Sequence, residues 1–250
     1  MRHGRASARV GARPCQTVTV TSAWTSTRFA VLLTAASGAA DAYALMTHGV
    51  MANAQTGNVV LLAASVARSD WWQVAGHLWS VGAFVVGTVL ATHLKRTWIG
   101  EGNRSPVADP VLWTVVGMAF LLVCVGLLPA TTPSAIAIVP QALIGGMSFE
   151  LFRKAAGLAY VPVTATGNLV RLVEDIHGTV ALGDEESRRA LPVHTAIVVA
   201  FTGGCVLGGL ATHLWGVRGI WLAAAFIAVD AALLVVERRR TPRPMRAAAG

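Results

Sequence analysis

The sequence predicts an all-α, polytopic membrane helix bundle, and three observations support this fold class. Only 13% of the 250 residues are charged while 54% are hydrophobic, whereas soluble domains average roughly 25% charged residues. Apolar runs of about 20 residues, the length that crosses a bilayer, recur along the chain. Two words are repeated in the same order: Thr-Gly-Asn at 56–58 and 166–168, and Ala-Thr-His-Leu at 91–94 and 211–214. These repeats predict an internal duplication.

Six long apolar spans are predicted to be transmembrane helices. They cover about 28–48, 73–94, 111–129, 134–152, 193–215 and 219–236. Basic or tryptophan residues flank most of them, as is typical of membrane–water interfaces. Glycines and prolines between 95 and 110, and the tight connector Pro129–Pro133, separate the spans. Residues 174–192 are polar, and an extra loop is expected near Gly183–Glu186, where it would explain why the two repeated words have different offsets.

Two shorter segments contain the repeated Thr-Gly-Asn words and are predicted to be broken. In the first, only Val59–Ala67 is cleanly apolar, which gives roughly 13 Å of helix against a bilayer core of about 30 Å. We expect each word to begin a short helix, with Thr or Asn capping free N–H groups and Gly allowing a turn. Irregular backbone at this depth must be buried or line a cavity. We therefore expect Asn58 and Asn168 to be buried near the interface of the two repeats and not to face lipid.

The predicted domain organisation has two membrane repeats between two tails. Residues 1–27 form a disordered cytoplasmic tail, 28–129 the first repeat, 134–236 the second repeat, and 237–250 a basic cytoplasmic tail. The basic start and the apolar run after it also fit a secretory signal peptide, but the apolar pattern continues beyond the length of one.

The distribution of Lys and Arg predicts the topology. Six spans with a cytoplasmic amino terminus place 18 of the 20 basic residues inside and leave Arg68 and Arg218 outside. If both Thr-Gly-Asn segments cross fully, making eight spans, only 14 lie inside, so the positive-inside rule favours six. Three spans per half would orient the halves oppositely, as two inverted repeats, which is common in secondary transporters. Both termini are then cytoplasmic in a plasma-membrane protein.

The chain also resembles a known family. Gly38–Ala42 (Gly-Ala-Ala-Asp-Ala) and Gln55–Leu62 (Gln-Thr-Gly-Asn-Val-Val-Leu-Leu) are similar to the signature of the YoaK-like family of bacterial multi-pass membrane proteins, domain of unknown function 1275. Thr164–Leu169 resembles it in the second half, and the resemblance spans about 28–236. It implies a multi-pass plasma-membrane protein and no particular activity. The second half has no acid that matches Asp41.

Polar residues inside the apolar segments are the candidates for function. Asp41 lies deep in the first span and is either a proton or cation site or a structural hydrogen-bond partner. Asp230 is a weaker candidate of the same kind, and Glu150 is expected to pair with Arg153 one turn away. Exposed helix N-termini can also attract anions. The predicted substrate or ion pathway comprises Asp41, Gln55, Thr56, Gly57, Asn58, Thr166, Gly167 and Asn168.

Several classes of function have little support. The net charge of +8 comes from basic residues at the ends of apolar runs, without the interleaved aromatics of a nucleic-acid site. The three cysteines lack metal-ligand spacing, and His93 and His213 would lie on opposite membrane faces. We therefore expect no catalytic residues, no metal, no cofactor and no nucleic-acid partner, and the protein is predicted not to be an enzyme.

The favoured prediction is a small-solute transporter or permease with a site between the two repeats. The alternative is a non-transporting membrane scaffold or accessory subunit that uses small-residue helix faces for its partners. Gly204 and Gly208 form a Gly-x-x-x-Gly in the fifth span, which most simply predicts a close helix contact. The expected partners are the lipid bilayer and an unknown small solute or ion. The sequence does not determine the substrate, its coupling ion or the oligomeric state.

Overall fold

The computed structural model describes residues 23–99 and 110–240, and most of them are helical. The helices are α1 Thr27–His48, α2 Gln55–Ala67, α3 Trp71–Leu94, α4 Pro110–Gly126, α5 Ser134–Leu151, α6 Thr166–Ala181, α7 Glu185–Trp215 and α8 Trp221–Arg240. Short 3₁₀ or π turns cover Ala23–Thr25, Lys95–Ile99 and Gly216–Ile220. The all-α prediction is confirmed apart from one small hairpin. Most of the predicted amino-terminal tail, residues 100–109 of the predicted loop over 95–110, and the last ten residues lie outside the described residues.

The hairpin was not predicted. Strands β1 (Lys154–Ala155) and β2 (Leu158–Ala159) pair antiparallel between α5 and α6. Ala156 and Gly157 both have positive φ, 49° and 86°, which is the geometry of a two-residue type I′ turn. Ala is unusual at such a position, so the sequence carried only a weak hairpin signal.

Four helical stretches of the described chain are long and apolar enough to cross a membrane. They are Thr27–His48, Trp71–Thr97, Ser134–Leu151 and Glu185–Glu237, the last of which contains both α7 and α8. The shorter apolar helices are Gln55–Ala67 and Pro110–Gly126. Each predicted long span overlaps a helix. These features indicate a membrane protein, and the crossing of six spans stays a prediction.

The polar region 174–192 is mostly helical, and the extra loop expected near Gly183–Glu186 is a short connection between two helices. Helix α6 continues through its charged residues to Ala181, and α7 begins at Glu185. Asp184 caps α7, since its Oδ2 accepts hydrogen bonds from the Ser187 N–H and Oγ at 2.8 and 2.7 Å. Glu185 then pairs with two arginines in the next turn. Capping and acidic charge in the first turn outweigh the low hydrophobicity of this segment.

Helices α3 and α5 pack closely side by side and run in the same direction. Along the pair, Gly76 lies beside Ser134, and Gly87 lies against the Leu143 backbone. Near the carboxyl ends, Lys95 forms an ion pair with Glu150 at 3.1 Å. Glu150 also pairs with Arg153 at 3.5 Å, which confirms that prediction.

Helices α1 and α7 form a second parallel pair of the same kind. Gly204 lies against the backbone of Ala35, and Gly208 lies against Ala39, one turn further along both helices. A side chain at either glycine would collide with backbone atoms of α1. The predicted close contact of the Gly-x-x-x-Gly face is therefore confirmed.

The two pairs have equivalent contacts. A Cβ atom at Gly38 would collide with the Phe201 carbonyl and lie 3.0 Å from the Cys205 nitrogen. At Gly146 it would collide with the Phe84 carbonyl and lie 3.0 Å from the Thr88 nitrogen. Equivalent positions are therefore 108 residues apart on α1 and α5, and 117 apart on α3 and α7.

This register corrects one inference from the repeated words. The two Ala-Thr-His-Leu words are 120 residues apart, so they are displaced by about one helical turn from the packing equivalence. His93 and His213 do not occupy equivalent positions. His77 and His194, which are 117 residues apart, do.

The helix ends show how the pairs are arranged. Phe29, in the first turn of α1, packs on Phe152, just after α5, with ring centroids 5.0 Å apart. Gly49, just after α1, lies beside Gln73 in the first turn of α3. Helix α1 therefore begins where α5 ends and ends where α3 begins, so α1 and α5 run in opposite directions. A core formed mainly by α1, α4, α5 and α8 lies between the two pairs.

Candidate functional site

The connection from α1 to α2 turns back into the bundle. Helix α1 ends at Gly49, which has a left-handed φ of 68° and closes the last turn through a hydrogen bond to the Leu45 carbonyl. The following residues Val50, Ala52 and Asn53 are buried. The six-residue segment Gly49–Ala54, which we call the entry loop, is thus part of the core, and its backbone polar groups need internal partners.

Asn58 supplies several of these partners. Its Oδ1 accepts the Met51 N–H at 2.9 Å, and its Nδ2 donates to the Met51 carbonyl at 2.8 Å. Its Nδ2 also lies 2.9 Å from Gln55 Oε1 and from Ser80 Oγ, and its Oδ1 lies 3.3 Å from His77 Nδ1. The amide therefore pairs with both backbone groups of Met51, as a neighbouring strand would. Through Ser80 and His77 it also connects the entry loop to α3.

Asn168 does the same in the second half. Its Oδ1 accepts the Val161 N–H at 2.9 Å, and its Nδ2 donates to the carbonyls of Val161 and Thr164 at 2.6 and 2.9 Å. Both asparagines are 0% exposed, which confirms their predicted burial, while their placement near the repeat interface stays a prediction. The predicted caps are wrong, since Ala54 and Ala165 occupy the N-cap positions without a side-chain hydrogen bond. Asparagine in this word closes the preceding loop.

Asp41 holds the entry loop from the opposite side. Its Oδ1 accepts the Asn53 N–H at 2.7 Å, and the neighbouring N–H groups of Ala52 and Ala54 also act on the carboxylate. Asn53 in turn donates from Nδ2 to the Ser37 carbonyl at 3.1 Å. The side chain of Asn53 therefore reaches the middle of α1, where its Oδ1 faces Gly145 on α5.

A small cavity lies where Asn53 meets the two halves. Its volume is about 10 Å³, which is close to the room that one water molecule needs. Four pairs of lining residues are each 108 residues apart, as the helix register requires. These pairs are Leu33 with Gln141, Ala36 with Ile144, Ser37 with Gly145, and Ala40 with Ser148; Asn53, Leu122 and Ile227 complete the lining. We call this the central cavity.

The polar groups of the central cavity are incompletely satisfied. Gln141 is only 2% exposed, and its Nε2 donates to the Ala137 carbonyl at 3.0 Å. Its Oε1 has no hydrogen-bond partner among the described residues. Ser148 has only a weak contact with the Met118 sulfur at 3.9 Å. A buried carbonyl oxygen without a donor is a site for water, a cation or a donor group of a solute.

The cavity is chemically asymmetric although its positions are equivalent. The residue equivalent to Asp41 on α5 is Phe149, which agrees with the expectation that the second half has no matching acid. Only the first half contributes a loop residue, Asn53. The carboxylate, the loop and the amide thus come from α1 and its connection, while α5 contributes Gln141 and Ser148.

The structure separates the predicted pathway residues into two groups. Asp41, Gln55 and Asn58 surround the entry loop, whereas the second Thr-Gly-Asn word contacts its own loop in the second half. Thr56 and Thr166 are exposed. Sequence reasoning missed Asn53, Gln141 and Ser148 as site residues. Gln141 and Ser148 could have been noticed as polar residues within an apolar span.

A second, larger pocket lies beside the hairpin. It has a volume of about 290 Å³ and is open to the surface between β2, α6 and the start of α7. Its lining includes Arg171, Glu174, Asp175, Asp184, Glu186 and His194. We call this the hairpin pocket. Among the described residues, no group of three or more His, Cys, Asp or Glu side chains could hold a metal ion.

His194 is held by two acceptors at the edge of the hairpin pocket. Its Nδ1 lies 2.6 Å from Asp175 Oδ2, and its Nε2 lies 3.2 Å from the Ala159 carbonyl. Donation to both requires a proton on each ring nitrogen. His77, at the equivalent position, contacts the Asn58 amide instead.

Comparison with known proteins agrees with this description. The profile of the family described as "Protein of unknown function (DUF1275)" matches residues 29–233. No curated protein and no solved structure matched the chain. The match covers α1 to most of α8, including both Thr-Gly-Asn words and every residue of the central cavity. The chain therefore belongs to the DUF1275 family.

Proposed function

We propose that the protein is a small-solute transporter or permease of the plasma membrane, with its site between two inverted repeats. The observation that carries this proposal is the central cavity. Its four pairs of lining residues are equivalent in the two halves, and its Gln141 oxygen has no partner among the described residues. Transporters with inverted repeats bind their substrates at the interface of the repeats.

The helix directions support the inversion. Equivalent helices α1 and α5 run in opposite directions, because Phe29 at the start of α1 packs on Phe152 at the end of α5. Gly38 of the first half contacts α7 of the second half, and Gly146 of the second half contacts α3 of the first. Each half therefore packs on the other through equivalent helices. A rotation of half a turn about an axis in the membrane plane would have both effects.

The path of the entry loop supports six crossings rather than eight. Ser37, which Asn53 contacts, lies about 16 Å from the end of α1 at 1.5 Å per residue. Helix α2 then returns from the level of Ser80 to the start of α3. The segment thus enters and leaves on one side, and its irregular backbone is buried as membrane burial requires. With six crossings, both termini are cytoplasmic.

The packing suggests which parts would move. The pairs α1–α7 and α3–α5 are each locked by glycine contacts with backbone atoms. The central cavity and the side chains that line it lie between α1 and α5. Rocking of one pair against the other would open the cavity to either side in turn, while the entry loop moves with α1 through Asp41.

The alternative function is a non-transporting membrane scaffold or accessory subunit. One observation favours it: about 10 Å³ accommodates no solute larger than water in this conformation. A scaffold requires the same close packing but no opening of the cavity. The two functions therefore differ in whether water-soluble reagents ever reach the cavity.

Cysteine accessibility tests this difference without knowledge of the substrate. Ser37→Cys and Ser148→Cys would be made in a background without Cys15, Cys124 and Cys205. We expect a membrane-impermeant thiol reagent to label both variants slowly in right-side-out and in inverted vesicles. Ser65→Cys, which is buried on α2 and is not among the residues lining the cavity, is the matched control and should stay unlabelled. Protection of Ser37→Cys and Ser148→Cys from both sides would favour the scaffold.

The inversion has its own test. Ser69 precedes α3 and Glu186 lies in the first turn of α7, and both are exposed. In the same cysteine-free background, Ser69→Cys should label from outside in intact cells, whereas Glu186→Cys should label only after the cells are opened. Labelling of both residues from one side would show that the halves are parallel.

A further inference from the structure

The central cavity brings together oxygen atoms from both halves of the protein. On α5, Gln141, Gly145 and Ser148 are three or four residues apart, so they lie on one face of the helix. Asn53 Oδ1 packs directly against Gly145, and a Cβ atom there would collide with it. The amide oxygen of the entry loop therefore reaches α5 at a level between Gln141 and Ser148, because Gly145 has no side chain.

The hydrogen-bond donors around the cavity are directed at backbone carbonyls. Asn53 Nδ2 donates to the Ser37 carbonyl at 3.1 Å, and Gln141 Nε2 donates to the Ala137 carbonyl at 3.0 Å. The Ser37 hydroxyl donates to the Leu33 carbonyl at 2.9 Å. Gln141 Oε1, on a residue that is only 2% exposed, has no partner among the described residues. The lining therefore offers oxygen lone pairs to an occupant that is positively charged or donates hydrogen bonds.

Asp41 places a carboxylate beside these oxygens. It lies one turn beyond Ser37 on α1, and its Oδ1 accepts the Asn53 N–H at 2.7 Å. Asn53 thus contacts the carboxylate and also lines the cavity. The groups that contact Asp41 are N–H donors, which suit an ionised acid, and no basic side chain among the described residues pairs with it. An ionised acid within a membrane span normally faces a cation or a water-filled cavity.

The chemistry of the lining determines which cation would fit. The described lining residues include no His, Cys or charged side chain, so the nitrogen and sulfur ligands that transition metals prefer are missing. Calcium sites usually supply several carboxylates, and Mg²⁺ keeps several of its water molecules. Uncharged oxygens next to a single carboxylate instead match a monovalent cation. A volume of about 10 Å³, close to that of one water molecule, favours sodium over the larger potassium ion.

We propose that the central cavity binds one sodium ion through side-chain oxygens of Ser37, Asn53, Gln141 and Ser148, with the Asp41 carboxylate as its counter-charge. The bound ion connects α1 and the entry loop of the first half to α5 of the second half. Its release frees the two helix pairs to rock. Binding of the ion does not depend on transport, whereas its role as the ion coupled to opening of the cavity rests on the proposed transport function.

Thermal unfolding of the purified full-length protein in detergent tests the binding. The Tm in sodium chloride should exceed the Tm in choline chloride at equal ionic strength by a few degrees, with saturation as the sodium concentration rises. Potassium should have a smaller effect. Gln141→Leu should lose most of the sodium effect, and its Tm in choline chloride should stay close to the wild-type value. Equal Tm values of the wild type in sodium and choline would mean that the cavity holds only water, and an equal effect of potassium would overturn the assignment to sodium.

The two buried acids provide a matched pair of variants. Asp41→Asn keeps the shape of the side chain and removes its charge, so it should lose most of the sodium effect. Asp230 is also buried in a predicted span but is not among the residues lining the cavity, so Asp230→Asn should keep the full effect. Equilibrium dialysis with radioactive sodium should give the same pattern, even where a variant has a lower Tm. Full sodium binding by Asp41→Asn, or a loss in Asp230→Asn alone, would overturn the proposal.

The coupling is tested at Ala36, which lines the cavity and supplies no oxygen ligand from its side chain. In the cysteine-free background, sodium should slow the labelling of Ala36→Cys by a membrane-impermeant thiol reagent several-fold relative to choline. This difference should disappear when Asp41→Asn is added. Equal labelling rates in sodium and choline would overturn the coupling.

The sodium site and the transport function fail in different ways. Absence of Ala36→Cys labelling under all conditions, in a protein that still binds sodium, would overturn the transport function and leave the ion site in place. Labelling of Ala36→Cys from both sides of the membrane, in a protein that does not bind sodium, would overturn the ion site and leave the transport function in place.

Discussion

The two Thr-Gly-Asn segments form the same local structure and then diverge. In each, the asparagine pairs with both backbone groups of the residue seven positions earlier. The helix that follows is uncharged in α2, whereas α6 carries Arg171, Glu174 and Asp175. The comparison shows that the Thr-Gly-Asn word specifies the closure of the preceding loop. The residues of the neighbouring helices determine which polar side chains surround that loop.

The equivalent histidines illustrate the divergence. His77 completes the network of Asn58 and Ser80 on the uncharged α2 side. His194 binds Asp175 of α6 and the hairpin carbonyl of Ala159. The first half therefore anchors a buried loop beside the central cavity, and the second half forms a pocket open to the surface.

The largest expected effect tests whether the halves share their packing. Gly38→Ala and Gly146→Ala should each destabilise the protein by about 3 kcal/mol, because a Cβ would collide with a backbone carbonyl that cannot move aside. The midpoint of unfolding in mixed micelles with rising SDS measures this change. Gly82→Ala and Gly203→Ala lie on the same helix pairs with nothing within 4 Å, and they should be neutral or slightly stabilising. Similar losses of stability at all four glycines would contradict the equivalent backbone contacts of Gly38 and Gly146.

The next prediction sharpens the comparison of the two asparagines. Asn58→Ala and Asn168→Ala should both destabilise by about 2 kcal/mol, since each leaves a buried backbone N–H and carbonyl without the side chain that pairs with them. The loss at Asn58 should exceed that at Asn168 by about 1 kcal/mol, because Asn58 also contacts Gln55, Ser80 and His77. Both are measured by the same unfolding assay. A larger loss at Asn168 would mean that the α6 segment is the more firmly anchored one.

A smaller effect is expected from the histidine pair. His194→Phe should destabilise by about 2 kcal/mol, because it removes two hydrogen bonds and leaves Asp175 without its partner. His77→Phe removes one long contact of 3.3 Å and should cost less than about 1 kcal/mol. A double-mutant cycle of His194→Phe with Asp175→Asn should show positive coupling. Independent, additive effects would exclude the Asp175–His194 pair.

The smallest effect concerns the start of α7. Hydrogen bonds from the Ser187 side chain and backbone hold the pKa of Asp184 below its ordinary value of 3.8. A lowered pKa in the folded state gives stability that is present above the ordinary value and is lost as the pH falls through the folded pKa. The wild type should therefore lose slightly more stability than Asp184→Ala between neutral pH and strong acid, as followed by thermal unfolding. Identical acid sensitivity would show that the cap contributes nothing.

The sequence alone determined the helical membrane class and the position of nearly every long helix. Runs of apolar residues must be helical in a bilayer, because only internal hydrogen bonds satisfy their backbone, and this constraint is local. The family resemblance and the burial of Asn58 and Asn168 also followed from short words in the sequence. The helical state of 174–192 did not, since it depends on the Asp184 cap and on ion pairs of Glu185 that outweigh composition.

Only the tertiary structure decided which residues meet. The register between the halves could not be read from the repeated Ala-Thr-His-Leu word, because helix packing follows glycine contacts with backbone atoms, and insertions shift the sequence relative to them. Asn53, Gln141 and Ser148 were not recognisable as partners because they are distant in the chain and meet where α1 faces α5. The two buried acids also differ through the tertiary structure. The entry loop folds back and donates a hydrogen bond to Asp41, whereas Asp230 has no hydrogen-bond partner among the described residues.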